Sequence, residues 1–511
     1  GNLASSELRS ARWGRCRTSP IALPAMASSA VAGLRGSSCY VALGGNVGDR
    51  LRCLSRALLQ LTSLEGVRLV RTSSLYSTTP QYVTDQPPFL NAVVELELSR
   101  SRLSHLQGFF ADMKSIEETV GRTPGLRRGP RVVDLDIVAV GESTFKTTDS
   151  THPIEVPHAN MHERDFVLVP MAELCPAWRH PVLQGHPTVA ELAEGLRAGT
   201  PGELPPGASP ASWPCQLLPM AGGLHGRPGG PLLRRGGCTL VMGILNVTPD
   251  SFTDGGDHMR LEDAVTAAEA MVGAGAHVID IGGESTRPGA PEVPAEEEIR
   301  RVVPVIRAVR EKLGVTISVD TRKAAVARAA VFAGADWIND VSGGEFDPDM
   351  LKTAGELMAP IVLMHMKGTP ETMNSRASYD SLMDEVGDHL LRRRQAAEAA
   401  GVPSWNIMLD PGVGFAKTME HNLVILRNCG SMVKRLQPSP VLVSASRKRF
   451  LGTILDEPEA KRRTFGNAAA AAAAVAGGAD VVRVHDVREM AQTMKVSDFI
   501  YRGARSDTLL I

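Results

Sequence analysis

Eight short apolar or β-branched runs recur through the second half of the chain, and each is followed by polar residues that could do chemistry. Helical patterns separate the runs, for example over 261–274, 295–312 and 379–400, and each is long enough to cross between parallel strands. The runs lie at 240–245, 278–281, 316–319, 337–338, 361–364, 407–409, 441–443 and 481–482. Eight such units predict a (β/α)8 TIM barrel, a fold whose active site lies on the loops after the strands.

The first half follows a different order of patterns: strand, helix, two strands, helix and strand. The segments are 40–43, 50–61, 67–75, 91–98, 103–120 and 132–140. This order predicts a ferredoxin-like α/β sandwich with a C-terminal extension, so the whole chain is expected to be α/β. The expected division is a leader over 1–38, a first domain over 39–195, a mobile linker rich in Pro and Gly over 196–237 and the barrel over 238–511.

Composition narrows the classes of partner. Lys plus Arg number 55 against 56 Asp plus Glu, so no overall basic field attracts nucleic acid or anionic lipid. The seven cysteines show no CxxC spacing, which favours free thiols over a disulfide framework or a zinc site. No apolar stretch approaches the roughly 18 residues of a membrane span. The expected partners are therefore small molecules, with no nucleic acid and no membrane.

The first 38 residues hold several arginines, many serines and a single acid, Glu7. That composition resembles an organellar transit peptide, and we favour the mitochondrion over the plastid. A disordered tail on a cytosolic protein is the alternative interpretation.

A strand near the end of the first domain carries two carboxylates. Asp134 and Asp136 are two residues apart, so both point from one face while Leu135 points into the core. Such a pair suits Mg²⁺, which is commonly held by one or two carboxylates plus substrate phosphates. Arg122 and Arg131 lie just upstream, and the guanidinium fork matches phosphate oxygens. The commoner explanation of two such acids alone is an exposed acidic strand edge beside a basic loop.

Four motifs in this half occur in order: VALGGNVGDR, YSTTPQYVTDQPPFLNAVVEL, GPRVVDLDI and VPHANMHERDFVLVPMAEL. Together they resemble 6-hydroxymethyl-7,8-dihydropterin pyrophosphokinase. The resemblance implies that ATP is a substrate and that Asp134 and Asp136 hold the Mg²⁺ ions that bridge it. The residues implied to contact ATP are Glu117, Arg122, Arg131, His158 and Arg164. The residues implied to bind the pterin are Asn91 and the flanking rings Phe89 and Phe166, which suit stacking on a flat heterocycle.

The chain departs from that family at three positions. Family members often carry an aromatic residue before the Gly-Pro-Arg, where this chain has Arg128. Gly45 stands where the first loop of relatives has serine, and Pro124 stands where a second arginine is common. These departures concern how the site closes over ATP and leave the metal site unchanged.

Eight further motifs, one per barrel strand, resemble dihydropteroate synthase. They read MGILNVTPDSFTDGG, IDIGGESTRPGA, SVDTRK, WINDVSGG, MHMKGTP, DPGVGFAKT, SASRKRFLG and VRVHDV. The predicted pterin pocket contains Asp320, Asn339, Asp410 and Lys448, whose donors and acceptors match a pterin edge. Buried groups of this kind cost roughly 1–3 kcal/mol each when unpaired, so the pocket would reject analogues lacking the ring's amide and amine.

The reaction implied by this resemblance is substitution at the exocyclic methylene of the pterin, with p-aminobenzoate as the nucleophile and diphosphate as the leaving group. The residues implied to bind the diphosphate are Asn246, Thr286, Arg287, Arg483 and His485, with Asn246 also a Mg²⁺ ligand. The residues implied to contact p-aminobenzoate are Pro288, Phe415 and Lys448. We hypothesise that Arg449, where many relatives carry serine, pairs with the aminobenzoate carboxylate; simple solvation of Arg449 is the alternative.

The sequence thus favours a bifunctional enzyme of folate synthesis whose first half makes the substrate of its second half. The residues expected to carry the chemistry are Asp134, Asp136, Arg131, Lys448, Arg287, Arg483 and His485. A homo-oligomer formed through the barrel is also expected. Two alternatives remain open: a pterin-binding methyltransferase on the same barrel, and a folate-responsive binding protein with decayed catalysis.

Overall fold

The structure, a computed structural model, describes residues 38–147, 153–198, 214–221, 224, 229–247, 257–285 and 291–503. An antiparallel sheet with helices comes first and an eight-stranded parallel barrel follows, which confirms the predicted α/β fold class. The predicted leader lies outside the described residues, apart from Ser38. Within the described residues no helix is long and apolar enough to span a membrane.

The first half begins with alternating strands and helices. Its strands are β1 (Ser38–Gly45), β2 (Val67–Thr72), β3 (Leu75–Thr78), β4 (Phe89–Leu98), β5 (Asp134–Val140), β6 (Phe145–Lys146), β7 (Glu155–Val156), β8 (Cys215–Pro219) and β9 (Leu232–Arg234). Its helices are α1 (Arg50–Ser63), α2 (Arg100–Ser104), α3 (Leu106–Val120), α4 (Asp165–Leu174) and α5 (Val189–Ala198), with a 3-10 turn at Met161–Glu163. The predicted strand over 67–75 is two strands with Ser73 and Ser74 between them, and Ser73 Oγ accepts the N–H of Val93 (3.0 Å).

One antiparallel sheet organises this half. Its strand order is β5-β1-β4-β3-β8-β9, and β2 also pairs with β4. The register places Gly44 beside both Asn91 and Asp134, so the predicted pterin and metal residues lie on neighbouring strands. Leu54, Phe109 and Met113 of α1 and α3 pack on the sheet in its main apolar cluster. The sheet therefore holds the candidate residues of the first domain on a rigid frame.

The segment over 196–237, predicted to be a linker, contributes two strands to this sheet. β8 pairs with β3, and β9 pairs with β8. Short strands of this kind gain their stability from tertiary pairing, so local composition rich in Pro and Gly does not reveal them. The two described stretches of the segment are thus part of the fold of the first half.

The second half alternates strands and helices. Its strands are β10 (Leu240–Asn246), β11 (Val278–Gly282), β12 (Thr316–Asp320), β13 (Trp337–Asp340), β14 (Ile361–Met364), β15 (Ile407–Asp410), β16 (Leu442–Val443) and β17 (Val481–Val484). Its helices are α6 (Asp257–Gly273), α7 (Ala295–Lys312), α8 (Ala324–Ala333), α9 (Met350–Leu357), α10 (Leu382–Ala399), α11 (Met419–Arg427), α12 (Cys429–Leu436), α13 (Arg449–Leu455), α14 (Thr464–Ala476) and α15 (Val487–Tyr501). Three 3-10 turns lie at Met373–Arg376, Ser404–Asn406 and Ala460–Arg462.

These eight strands form the predicted barrel. Their order is β15-β14-β13-β12-β11-β10-β17-β16, and a parallel bridge between Leu409 and Val441 closes the ring. Each observed strand overlaps a predicted apolar run, because strands buried on both faces read as continuous hydrophobic sequence. The helix α7 shows matching end chemistry, with three glutamates in its first turn and Arg310 and Lys312 in its last.

The hairpin β8–β9 covers the amino ends of the barrel strands. Trp337 Nε1 donates to the carbonyl of Pro219 (3.1 Å), and Thr316 Oγ1 donates to the carbonyl of Met220 (2.7 Å). The carboxyl ends, where the fold keeps its active site, lie at the opposite end of the barrel. Since β5 is four strands from β8, the carboxylates of the first domain lie about 19 Å further along the sheet. The two candidate sites are therefore well separated.

Candidate active sites

The acidic pair of the first domain lies on β5. Asp134 and Asp136 are both half-buried, while Leu135 between them is fully buried in the core. The two carboxylates thus share the open face of the strand. Among the described residues no group of three His, Cys, Asp or Glu side chains could hold a metal on its own. Two carboxylates on one face nevertheless fit a Mg²⁺ ion that takes its other ligands from phosphates and water.

Basic side chains surround Asp134. Arg122 forms ion pairs with both Glu117 and Asp134, and Arg131 Nε lies 3.3 Å from the Asp134 carboxylate. Burial alone would raise the pKa of Asp134, but Arg131, Lys114 and Arg122 outweigh it and lower that pKa. Asp134 is therefore a carboxylate at neutral pH, ready to accept a cation.

Glu117 and Lys114 connect α3 to the acidic strand. Glu117 is buried and accepts the N–H of Leu135 (2.8 Å), while Lys114 Nζ lies 2.6 Å from Glu117 and donates to the carbonyl of Leu135 (3.0 Å). Burial raises the pKa of Glu117, although Lys114 opposes the shift. Sequence reasoning missed Lys114; its i,i+3 spacing from Glu117 on one helix was the available signal. Lys114 and Glu117 thus hold β5 against α3.

The predicted pterin residues lie at the other side of β1. Asn91 Nδ2 donates to Thr78 Oγ1 (2.7 Å), and its Oδ1 approaches so closely that a Cβ on Gly44 would lie 2.5 Å from it. Phe89 is buried beneath the guanidinium of Arg131 (5.2 Å to the ring centroid), and Phe166 is half-buried. Asn91 is thus held with its amide fixed, and Gly44 is required for that approach.

His158 and Arg164 form a neighbouring polar pair. His158 Nε2 lies 3.3 Å from Arg164 Nη1, and the Arg164 guanidinium lies 5.6 Å from the centroid of Phe166. Burial, together with Arg164, lowers the pKa of His158 against the opposing effect of Asp136. A neutral imidazole leaves the positive charge of this pair on the guanidinium of Arg164, whose fork suits a phosphate.

Asn46 joins three loops, and sequence reasoning missed it as a functional residue. Its side chain accepts the N–H of Arg131 (2.9 Å) and donates to Gln86 Oε1 (3.1 Å) and to the carbonyl of Pro87 (3.0 Å). Asn46 is itself buried, and its three hydrogen bonds are partly buried. The position of Arg131 beside the acidic pair depends on this contact.

Arg483 of β17 organises a polar cluster at the carboxyl ends of the strands. We call this cluster the barrel floor; it contains Asp280, Asp320, Asn339 and Arg483. The guanidinium of Arg483 donates to Asp280 and to Asp320, each at 2.6 Å. Asn339 Nδ2 also donates to Asp280 (3.1 Å), so Arg483 and Asn339 converge on one carboxylate. Burial raises the pKa of Asp320 to about 7, although Arg483 opposes the shift. Burial alone would lower the pKa of Arg483, but Asp280 and Asp320 raise it, so the guanidinium stays charged.

Asp280 is the functional candidate that sequence reasoning missed on this floor. It is fully buried in the middle of β11, and its Oδ1 has no hydrogen-bond partner among the described residues. A charged residue inside an apolar strand is rare unless it is paired, and that was the available signal. Its role is to fix Arg483 and Asn339 in one orientation.

Asp410 and Lys448 face the same floor from β15 and from the loop after β16. Asp410 Oδ1 accepts the N–H of Gly412 (2.7 Å), and burial raises the pKa of Asp410 to about 6. Burial and Arg483 lower the pKa of Lys448 to about 8. Lys448 Nζ lies 3.9 Å from the ring centroid of Phe415, and a Cβ on Gly414 would lie 2.7 Å from the lysine stem. Phe415 and Lys448 thus form one wall.

A second lysine, Lys417, contacts the loop that carries Phe415. Lys417 Nζ lies 3.0 Å from His365 Nδ1 and donates to the carbonyl of Phe415 (3.0 Å). Burial lowers the pKa of Lys417 to about 7, and burial together with Lys417 lowers the pKa of His365 to about 2. The imidazole is therefore neutral and accepts from the lysine, which fixes the loop that carries Phe415. Neither side chain was predicted from the sequence.

The remaining predicted diphosphate residues are only partly described. His485 Nδ1 lies 2.8 Å from Ser446 Oγ, and its backbone N–H donates to the same oxygen (3.0 Å). Asn246 is half-buried at the end of β10, beside Gly282 of β11. Thr286, Arg287 and Pro288 lie outside the described residues. Arg449 is exposed at the first position of α13, next to Lys448.

Two family models match the chain, one for each half. Residues 40–176 match the 7,8-dihydro-6-hydroxymethylpterin-pyrophosphokinase family. Residues 242–485 match the pterin binding enzyme family. Together the matched segments contain nearly every candidate residue described above.

Known proteins resemble the chain over most of its length. The mitochondrial folate synthesis bifunctional protein of Pisum sativum is 40% identical over 91% of this chain and 90% of its own length. The dihydropteroate synthase of a Synechocystis species is 50% identical over 52% of this chain and 91% of its own length. The solved structure of Plasmodium falciparum HPPK-DHPS with pteroate covers 91% of this chain and 97% of its own, with a TM-score of 0.73 and 21% identity. That last likeness supports the fold alone.

Proposed function

The chain belongs to the family of bifunctional folate-synthesis proteins, and we propose from that membership how each half does its chemistry. It is an enzyme with a hydroxymethyldihydropterin diphosphokinase half and a dihydropteroate synthase half. The first half transfers the diphosphate of ATP to 6-hydroxymethyl-7,8-dihydropterin and releases AMP. The second half condenses the product with p-aminobenzoate to give 7,8-dihydropteroate and diphosphate.

In the first half, the acidic pair and its basic surroundings are assigned to the nucleotide. Asp134 and Asp136 would hold Mg²⁺, which neutralises phosphate charge when it is bound with ATP. Arg131, Arg164 and His158 would contact the phosphates, while Arg122 changes partner from Asp134 to the nucleotide. These cations would then lie where charge develops, and such preorganisation is usually the largest catalytic contribution.

The pterin of the first half would bind against Asn91. The side-chain amide of Asn91 is fixed by Thr78 and approached closely by Gly44, so it can recognise the edge of the pterin ring without rearrangement. Phe89 and Phe166 would stack on the two faces of the pterin. A preordered amide and rings reduce the entropy lost on binding.

In the second half, the barrel floor is assigned to the pterin ring. Asp410 would accept hydrogen bonds from the ring's amino group and N–H, and Lys448 would donate to the ring. Asn339 and Asp320 complete the edge, held in place by Arg483 and Asp280. This convergence of six polar side chains, four of them buried, at the carboxyl ends of the strands is the observation that carries the proposal.

The leaving group and the nucleophile lie toward the barrel mouth. Asn246, Thr286, Arg287, Arg483 and His485 would hold the departing diphosphate, with a Mg²⁺ ion brought by the substrate and contacted by Asn246. Pro288, Phe415 and Lys448 would contact p-aminobenzoate, and Arg449 would pair with its carboxylate. Cations fixed around the leaving group stabilise the charge that develops as the carbon–oxygen bond breaks.

We also propose that the protein is mitochondrial and forms a homo-oligomer through its barrel. The pea relative is named as mitochondrial, and the first 38 residues have the composition of a transit peptide.

The proposed oligomer is supported by helices α13, α14 and α15, which expose large apolar side chains, as is typical of an interface. These are Ile454, Leu455, Phe465, Val496, Phe499, Ile500 and Tyr501.

The test of the proposed roles separates the two halves. Purified protein is supplied with hydroxymethyldihydropterin, Mg²⁺-ATP and labelled p-aminobenzoate, and AMP and dihydropteroate are followed. We expect Asp136→Ala to lose AMP formation but to condense supplied pterin diphosphate normally. We expect Lys448→Ala to release AMP but to make no dihydropteroate from either starting material. Failure of Asp136→Ala to condense supplied pterin diphosphate, or failure of Lys448→Ala to release AMP, would contradict the assignment of these residues to separate reactions.

A further inference from the structure

Two loops border the acidic pair of the first domain, and they touch each other through two side chains. One loop follows β3 and contains Tyr82; the other precedes β5 and contains Arg128. The Arg128 guanidinium carbon lies 3.7 Å from the centroid of the Tyr82 ring. This is a cation–π contact, well inside the roughly 6 Å at which such contacts attract.

Both residues adopt backbone conformations that side chains disfavour. Tyr82 has φ of 68° and Arg128 has φ of 65°, in the left-handed region. For a bulky residue that conformation costs free energy, and it persists only where surrounding contacts hold it. The two strained positions lie one in each loop and are in contact with each other, so the contact offsets part of that cost.

A hydrogen-bonded path leads from this contact to the acidic pair. Gln86, in the loop of Tyr82, donates to the carbonyl of Arg128 (3.1 Å) and accepts from Asn46 (3.1 Å). Asn46 in turn accepts the N–H of Arg131, whose side chain lies 3.3 Å from Asp134. Moving either loop would therefore move Arg131.

We propose that Tyr82 and Arg128 are a matched pair of positioning residues that joins the two loops and thereby sets the geometry of the nucleotide site. The inference rests on the ATP-binding role proposed above for this half, and it assigns no direct contact with ATP to either residue.

The test is a double-mutant cycle on the Michaelis constant for ATP in the full chain. Tyr82→Ala and Arg128→Ala are compared with the double variant and with Tyr82→Phe, which keeps the ring. Leu126→Ala is the control, because Leu126 is 73% exposed in the same loop and is assigned no role. Each single alanine variant is expected to raise the KM for ATP about two- to fivefold, the range of an exposed cation–π contact.

A double variant no worse than the poorer single variant, with Tyr82→Phe and Leu126→Ala unchanged, supports the pair. Multiplicative effects of the two alanine changes, no change in KM, or loss in Tyr82→Phe equal to that in Tyr82→Ala would overturn it. Condensation of supplied pterin diphosphate by the barrel reports folding and is expected to stay constant in all variants. Failure of the wild-type protein to release AMP would contradict the proposed function of this half, and is distinguishable from failure of the pair alone.

Discussion

Replacing Arg235 by Met is expected to weaken the whole molecule, because this side chain ties the hairpin β8–β9 to the barrel. Its guanidinium pairs with Asp480 (2.9 Å), and the two side chains are only 8% and 7% exposed. It also donates to the carbonyl of Ser439 (2.9 Å) and to Gln216 Oε1 (2.9 Å). Methionine retains much of the length and volume of arginine but none of these donors.

The size of the effect follows from burial. Removing one partner of a buried ion pair leaves the other charge uncompensated and costs about 3–5 kcal/mol. Each kcal/mol shifts Tm by roughly 2–4 °C in a domain of this size, so Arg235→Met should lower Tm by about 6–20 °C. Arg68→Met is the matched control, because its pair with Glu97 is at the surface, where Arg68 is 59% exposed. A surface pair contributes about 0–1 kcal/mol, so the control should move Tm by at most about 4 °C.

The assay is thermal unfolding of the full chain, with both partial activities measured at 25 °C to verify that each variant is folded. If Arg235→Met melted within the range of Arg68→Met, the reasoning that the hairpin stabilises the barrel's amino ends would be refuted.

Three further predictions concern the barrel. Burial raises the pKa of Asp410 to about 6, so the accepting carboxylate is lost as pH falls below 6. The value of kcat/KM for the pterin diphosphate should therefore fall about tenfold per pH unit in that acidic range. Asp410→Asn should lower kcat/KM and remove this acidic fall, whereas an unchanged fall would assign the titration to another group. Arg449→Ser should raise the KM for p-aminobenzoate about two- to fivefold, as for an exposed ion pair, whereas an unchanged KM would mean that Arg449 is simply solvated. Phe499→Glu places a charge in the exposed apolar face and should reduce the mass measured by light scattering to that of one chain; a wild-type protein that is already monomeric would contradict the proposed oligomer.

The barrel could be predicted from the sequence because each of its strands is buried on both faces. Runs such as 316–319 are therefore continuous in hydrophobicity, and the residue that ends each run points to the site. Asp320 and Asp410 could be found in that way, since each closes its strand. The apolar pattern predicts where each strand ends, and the polar residue found there marks the site.

Asp280 shows what this reasoning cannot find. It lies inside β11 rather than at its end, and its partners Arg483 and Asn339 come from strands far away in sequence. Asn46 is similar, because its three partners lie on two other loops. Such residues act through tertiary contacts, and no local period marks them.

The hairpin β8–β9 was mistaken for part of a linker for a related reason. Its strands are short, and β8 is paired to β3, more than a hundred residues earlier in the chain. Only the folded sheet supplies the partner that makes Cys215–Pro219 a strand. Long-range pairing of this kind leaves little trace in local composition.

Two separate sites on one chain require the intermediate to leave the first site before it reaches the second, and mixing two variants tests this most directly. Asp136→Ala and Lys448→Ala proteins are each given hydroxymethyldihydropterin, Mg²⁺-ATP and labelled p-aminobenzoate, first alone and then together. Because the hairpin separates the two sites, we expect no dihydropteroate from either variant alone and steady formation from the mixture, after a lag while the pterin diphosphate accumulates. A mixture as inactive as its components would contradict the account.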